Sequence, residues 1–134
     1  QINQGQMDRW NIVSTLNYLP KEQEFKIICS KVKEFLKSYK EDIILSMIEL
    51  ANLTRAGFKN GDISTLMSPR TVITWAENTI IFGDLNYAFK VTFLNKCDEA
   101  EKSIIAEYYQ RCLAIDIPEK WLNNLEEKNT NLNE

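Results

Sequence analysis

The sequence predicts an all-α fold: a bundle of about five helices, preceded by one short strand. Three observations carry this reading. Apolar residues recur at spacings of three and four along most of the chain. The runs are bounded by residues that start or stop helices, with Ser, Asp or Pro before them and Gly after. A single stretch near the N-terminus reads as a strand.

Taken in order, Gln1 to Gln6 is polar with one glycine and reads as a loop. WNIVSTLNYL, Trp10 to Leu19, carries the β-formers Ile12, Val13, Thr15 and Tyr18. A lone strand leaves its edges unpaired, so its sheet is expected to lie largely outside this chain. Pro20 suits the first turn of a helix. KEQEFKIICSKVKEFLKS then places Phe25, Ile28, Val32, Phe35 and Leu36 on one face. A second helix is expected from about Glu41 to Ala56, with the stripe Ile44, Met47, Ile48 and Ala51, and Gly57 placed to end it. Phe58 to Met67 reads as a loop turned by Gly61 and Asp62.

The third helix has Ser68 as N-cap, Pro69 as first residue, Val72, Ile73, Ala76 and Ile80 on its apolar face, and Gly83 at its end. NYAFKVTFLNKC, Asn86 to Cys97, has enough β-formers to be a strand. A helix is preferred because Asp84 can cap it and its neighbours are helical; Tyr87, Ala88, Val91 and Leu94 then share a face. Asp98 with Glu101 resembles a capping box. The fifth helix follows, with Ile104, Ile105, Tyr108, Tyr109 and Cys112. Pro118 opens a last short helix through Trp121 and Leu125, and the polar tail EEKNTNLNE reads as frayed.

With 134 residues the chain suits one domain, and 44% hydrophobic residues supply a core. A net charge of -3 argues against a general nucleic-acid surface, although a local basic pocket stays compatible with it. The three cysteines, Cys29, Cys97 and Cys112, form no CxxC pair and fit a reducing, cytoplasmic setting. They read as packing residues, and no metal site is expected. The absence of histidine removes His-based acid–base chemistry and the commonest zinc ligand sets. No apolar run approaches the roughly 18 residues of a membrane span, and no signal peptide is evident. The opening QINQGQMDRW has no initiator Met and reads as a cut inside a longer polypeptide.

No GxxxxGK[ST], GxGxxG or GxSxG motif is present. Paired acids such as Asp98 with Glu99 and Glu126 with Glu127 read as a cap and a solvated tail. Trp10, Trp75 and Trp121 are too scattered for a base-stacking platform and read as core or interface. Two arginines remain. Arg70 follows Ser68 and Pro69 at a helix start, where a cation faces the positive end of the macrodipole. It lies about 200° around the helix from Val72 and so off the core stripe. It can bind an anion there, helped by the helix N–H groups, or pair with a surface acid. Arg9, in QMDRW, can pair with Asp8 or stack on Trp10.

Longer stretches add a resemblance. QINQGQMDRWNIVSTLNYLP resembles the end of the ATPase core in the CobS-like subunits of aerobic cobaltochelatase, within the MoxR-related AAA+ ATPases. GDISTLMSPRTVITWAEN and FKVTFLNKCDEAEKSIIAEYYQRC resemble the C-terminal lid of the same family. The match covers about residues 1–113. It implies that 1–19 is the end of the AAA+ core, 20–117 a helical lid, and 118–134 a terminal helix and tail. It implies that Arg9 is an arginine finger acting in trans and Arg70 the sensor-2 arginine on the nucleotide. It further implies a homo-oligomeric ring, with ATP and Mg in the full-length parent and none in this fragment, and CobT-like and CobN-like partners. The ring would drive cobalt into the corrin precursor hydrogenobyrinic acid diamide. Walker A, Walker B and sensor 1 are not in this chain, so ATPase activity is expected of the parent and not of the fragment. Two other readings stay open: a MoxR-like chaperone ATPase acting on another complex, and a stand-alone helical interaction module.

Overall fold

A computed structural model describes residues 19–122. The expected strand Trp10–Leu19 (all but its last residue), Arg9 and the tail beyond Leu122 lie outside them. Among the described residues there are six α-helices and no strand, so the all-α expectation holds. The helices are α1 (Lys21–Lys31), α2 (Phe35–Ser38), α3 (Glu41–Asn60), α4 (Pro69–Phe82), α5 (Leu85–Thr92) and α6 (Lys102–Leu113). Short 3-10 turns cover Leu94–Lys96, Glu99–Glu101 and Glu119–Trp121.

The continuous helix expected over 21–38 is instead two pieces. Helix α1 ends at Val32, whose φ of -126° and ψ of 66° leave the helical region. The break turns Phe35 fully into the core, where its ring stacks on Tyr39 at 4.7 Å. That packing outweighs the local helix preference of the charged residues between. Leu36, expected on the buried face, is 37% exposed.

Helix α3 runs one turn past Gly57. The glycine that ends it is Gly61, at a φ of 85°, in the left-handed region that favours glycine. Gly57 sits buried within the helix because it is a contact point. A Cβ there would lie 2.7 Å from the Tyr108 hydroxyl and 3.3 Å from Ile63 Cγ1. The missing methyl lets α6 and the following loop close onto α3.

Asp84 caps α5, its carboxylate accepting from the N–H groups of Asn86 and Tyr87 at 2.9 and 3.1 Å. The helix ends earlier than expected, at Thr92, and buries Leu85, Ala88, Phe89 and Thr92, while Tyr87 stays exposed. The capping box expected at Asp98 and Glu101 is only half present. Asp98 accepts from the Ala100 N–H. Glu101 turns away to the 61–67 loop, where its carboxylate accepts from the Ser64 N–H at 3.0 Å and hydroxyl at 2.8 Å.

Helix α4 packs mainly on α5, α3 on α6, and α1 on both α3 and α4. Trp75 of α4 lies fully buried at the centre, 4.9 Å from the Phe89 ring and 6.0 Å from that of Tyr109. Its indole N–H donates to the Leu85 carbonyl at 3.0 Å, so no polar group is stranded. None of the described helices is long and apolar enough to cross a membrane.

Candidate functional site

The mouth of α4 is built by SPRT. The Ser68 hydroxyl accepts from the Thr71 N–H, and the Thr71 hydroxyl accepts from the Ser68 N–H, both at 3.2 Å. This is a reciprocal capping box with Thr in place of the usual Glu. Pro69 has no N–H, and the Val72 N–H donates to the Ser68 carbonyl. Of the first-turn amides only that of Arg70 is left without a described partner. The helix N-terminus therefore adds the one Arg70 N–H among its first-turn amides. The charge has to come from side chains.

Arg70 supplies it. Its side chain is exposed, and among the described residues it makes no hydrogen bond or ion pair. The surface pairing open to it in the sequence is thus not made within 19–122. Arg70, Ile73, Thr74 and Glu77 fall at i, i+3, i+4 and i+7 and so share one face of α4. With Lys31 from the last turn of α1 they line a cleft of about 260 Å³. Two cations, one carboxylate and a threonine hydroxyl thus line it. A second, more open groove of about 410 Å³ adjoins it through Lys31 and Glu77 and is lined further by Val32, Ile80 and Ile81. Arg9, the other expected site residue, lies outside the described residues.

The loop that leads into α4 is held by a buried polar network that the sequence reading missed. Arg55 of α3 and Glu24 of α1 are 3% and 1% exposed. The Arg55 guanidinium donates through Nη1 and Nη2 to the two Glu24 carboxylate oxygens, at 2.9 and 2.7 Å. Its Nε–H donates to the Met67 carbonyl at 2.7 Å, and Nη1 also donates to Asn52 Oδ1 at 2.8 Å. Next door, the Met67 N–H donates to the Thr54 hydroxyl oxygen at 3.0 Å, and that hydroxyl donates to the Ala51 carbonyl at 2.7 Å. Both backbone polar groups of Met67, the residue before the Ser68 cap, are held by consecutive residues of α3. A signal was present: Glu24 continues the stripe of Ile28 by one turn, and Arg55 that of Ile48 and Ala51. A charge in line with a core stripe is a buried pair awaiting its partner.

The thiols are free. Burial, with help from the Glu101 carboxylate, pushes Cys97 up to about 12. Its thiol lies 3.4 Å from the Phe93 carbonyl, to which it donates. Burial also raises Cys29 and Cys112 above the ordinary thiol value. None of the three has the electropositive, thiolate-favouring surroundings of a nucleophile. Among the described residues no group of three Cys, Asp or Glu could hold a metal ion.

The described fold and site define a small all-α domain with an open cation-bearing cleft at one helix mouth and no nucleophile or metal cluster of its own. The chain is 59% identical over 119 residues to the aerobic cobaltochelatase subunit CobS of a Sinorhizobium species. The alignment takes in 89% of this chain and 36% of that relative, so the chain spans little more than a third of the relative's length. No family model matches the chain, and no solved structure does.

Proposed function

We propose that this chain is the C-terminal lid of a CobS-like, ATP-hydrolysing ring subunit, and that Arg70 is its contact to the nucleotide phosphates. The observation that carries the proposal is the 59% identity to a cobaltochelatase subunit over almost the whole chain. Cobalt insertion into a corrin precursor, in the cytoplasm and with CobT-like and CobN-like partners, is the activity such a ring would serve. Arg9 would act as the arginine finger toward the neighbouring subunit.

The chemistry of the cleft supports the reading. Phosphoryl transfer needs fixed positive charge where negative charge gathers on the transferring oxygens. Arg70 is an exposed guanidinium with no described partner to outcompete, on a helix start that is capped and therefore rigid. Its planar fork suits phosphate oxygens, and Lys31 adds a second cation across the cleft. The residues fit the phosphates of ATP but not its magnesium ion, for which the described residues contain no acidic cluster. ATP with Mg supplies the scissile phosphoanhydride; this chain's part is to place charge on it. The helix-dipole cost of Arg70, up to about 1 kcal/mol, is small beside what a phosphate contact returns.

The test is Arg70→Ala in the full-length ring. The domain should stay folded, because the side chain is exposed, while ATP hydrolysis falls by on the order of 10³, as for other transition-state arginines. Arg70→Lys should recover little, since one ammonium does not reproduce the fork. Rings mixing Arg70→Ala subunits with subunits defective only in the phosphate loop should regain turnover if Arg70 acts on the neighbour. Normal hydrolysis by Arg70→Ala rings would show the assignment to be wrong.

A further inference from the structure

We propose that Glu24, Thr54 and Arg55 are positioning residues that set where the α4 mouth, and with it Arg70, is held; the part that concerns nucleotide rests on the reading of Arg70 above. The geometry runs in one line. Glu24 on α1 fixes the plane of the Arg55 guanidinium through two short bonds. The same guanidinium, through Nε, grips the Met67 carbonyl, and Thr54 grips the Met67 N–H. Ser68, the cap, is the next residue, and Arg70 lies within the first turn it caps. Upstream the loop is tied by the Asp62 and Ile63 N–H groups, which donate to the Gly57 carbonyl, and by Ser64, held by Glu101; at Met67, next to the cap, the bonds to Thr54 and Arg55 fix its direction.

A buried ion pair is a poor way to gain stability, because desolvation offsets most of the attraction. It is a good way to fix geometry, since a guanidinium fork accepts its partners only in one plane. Here three elements meet in that plane: α1, which also carries Lys31, α3, and the entry to α4. The lock thus sets the two cations of the cleft, Lys31 and Arg70, relative to one another. An apolar core at the same place would leave the Met67 N–H and carbonyl buried and unpaired.

Two measurements test this. The first uses amide hydrogen exchange on the 134-residue chain carrying Thr54→Val, a change that keeps side-chain shape and leaves the ion pair intact. Exchange at Met67, Thr71 and Val72 should quicken by about tenfold while the core amides of α3 and α6 keep their rates. Uniform acceleration, or none, would overturn the proposal. The second is a double-mutant cycle on ATP hydrolysis in the full-length ring. Thr54→Val should lower kcat by about tenfold to a hundredfold with KM changed less than about twofold, and should cost nothing further in an Arg70→Ala background. Equal factors in both backgrounds would mean that Thr54 acts on stability alone. If Arg70→Ala itself proves harmless, the phosphate role falls, and the exchange experiment still decides whether the lock holds the α4 mouth.

Discussion

Gly57 lies buried inside α3, where a single hydroxyl leaves no room for a side chain. A Cβ at 57 meets Tyr108 Oη at 2.7 Å, too close for any real contact. An alanine would gain about 0.5–1 kcal/mol of helix propensity and lose it again by pushing that ring out. The two positions should therefore be coupled. In the chain as it stands, Gly57→Ala should bring no gain in stability. In the Tyr108→Phe background it should be better tolerated by about 1 kcal/mol, because the obstructing atom has gone. Urea denaturation of the four proteins of the cycle checks this; a coupling of zero would mean that α6 does not approach α3 as described.

At the scale of elements, α1 is joined to α3 by the exposed Lys21–Glu49 pair and the buried Glu24–Arg55 pair as well as by apolar contact. The Glu24 and Arg55 side chains are almost wholly buried, so removing one strands the other in the core. Arg55→Met is expected to cost about 3–5 kcal/mol, and Glu24→Leu a similar amount. The double variant should recover a large part of the loss, since no charge is then left unpaired. It should not recover all of it, because the Met67 carbonyl would still lack its Nε–H donor. Melting temperatures of the three variants would show it. Strict additivity would contradict the buried bidentate geometry. The helix break at Val32 belongs to the same scale: local pattern favours continuing the helix, and the burial of Phe35 against Tyr39 decides otherwise.

For the whole molecule, three thiols and two tyrosine hydroxyls lean one way. Cys97 is pushed up to about 12, and Tyr109, buried with its hydroxyl donating to Asn86, is raised as well. Cys29, Cys112 and Tyr108 are raised by burial too. Each holds its proton in the folded state beyond the point where an unfolded chain gives it up. The native state then binds more protons than the unfolded one, so stability falls as pH rises. This contribution is fully present below about pH 8.5, the ordinary thiol value, and for Cys97 it is lost as pH climbs from there. Toward neutral pH there is no histidine to complicate the profile. Thermal melts between pH 7 and 11 should show a steepening decline above about pH 8.5, and Cys97→Ala should make it shallower. Parallel profiles for the two proteins would mean that the thiol is not shielded as described.

The helices themselves were written in the sequence, because a 3.6-residue period and a cap are local properties. The stripe of α3, Ser68 with Pro69 at the start of α4, and Asp84 before α5 each carry their own reason. The position of Arg70 at a helix mouth and off the core face was equally local, and the structure keeps it there. What only the tertiary structure decided depends on partners distant in the chain. Gly57 could be read as a stop because nothing near it names Tyr108, 51 positions away. Glu101 looked like a capping residue until Ser64 offered its carboxylate a better place. Glu24 and Arg55 stand in line with core stripes, but nothing local names one as the other's partner; only the packing of α1 on α3 removes water from both and makes each the other's requirement.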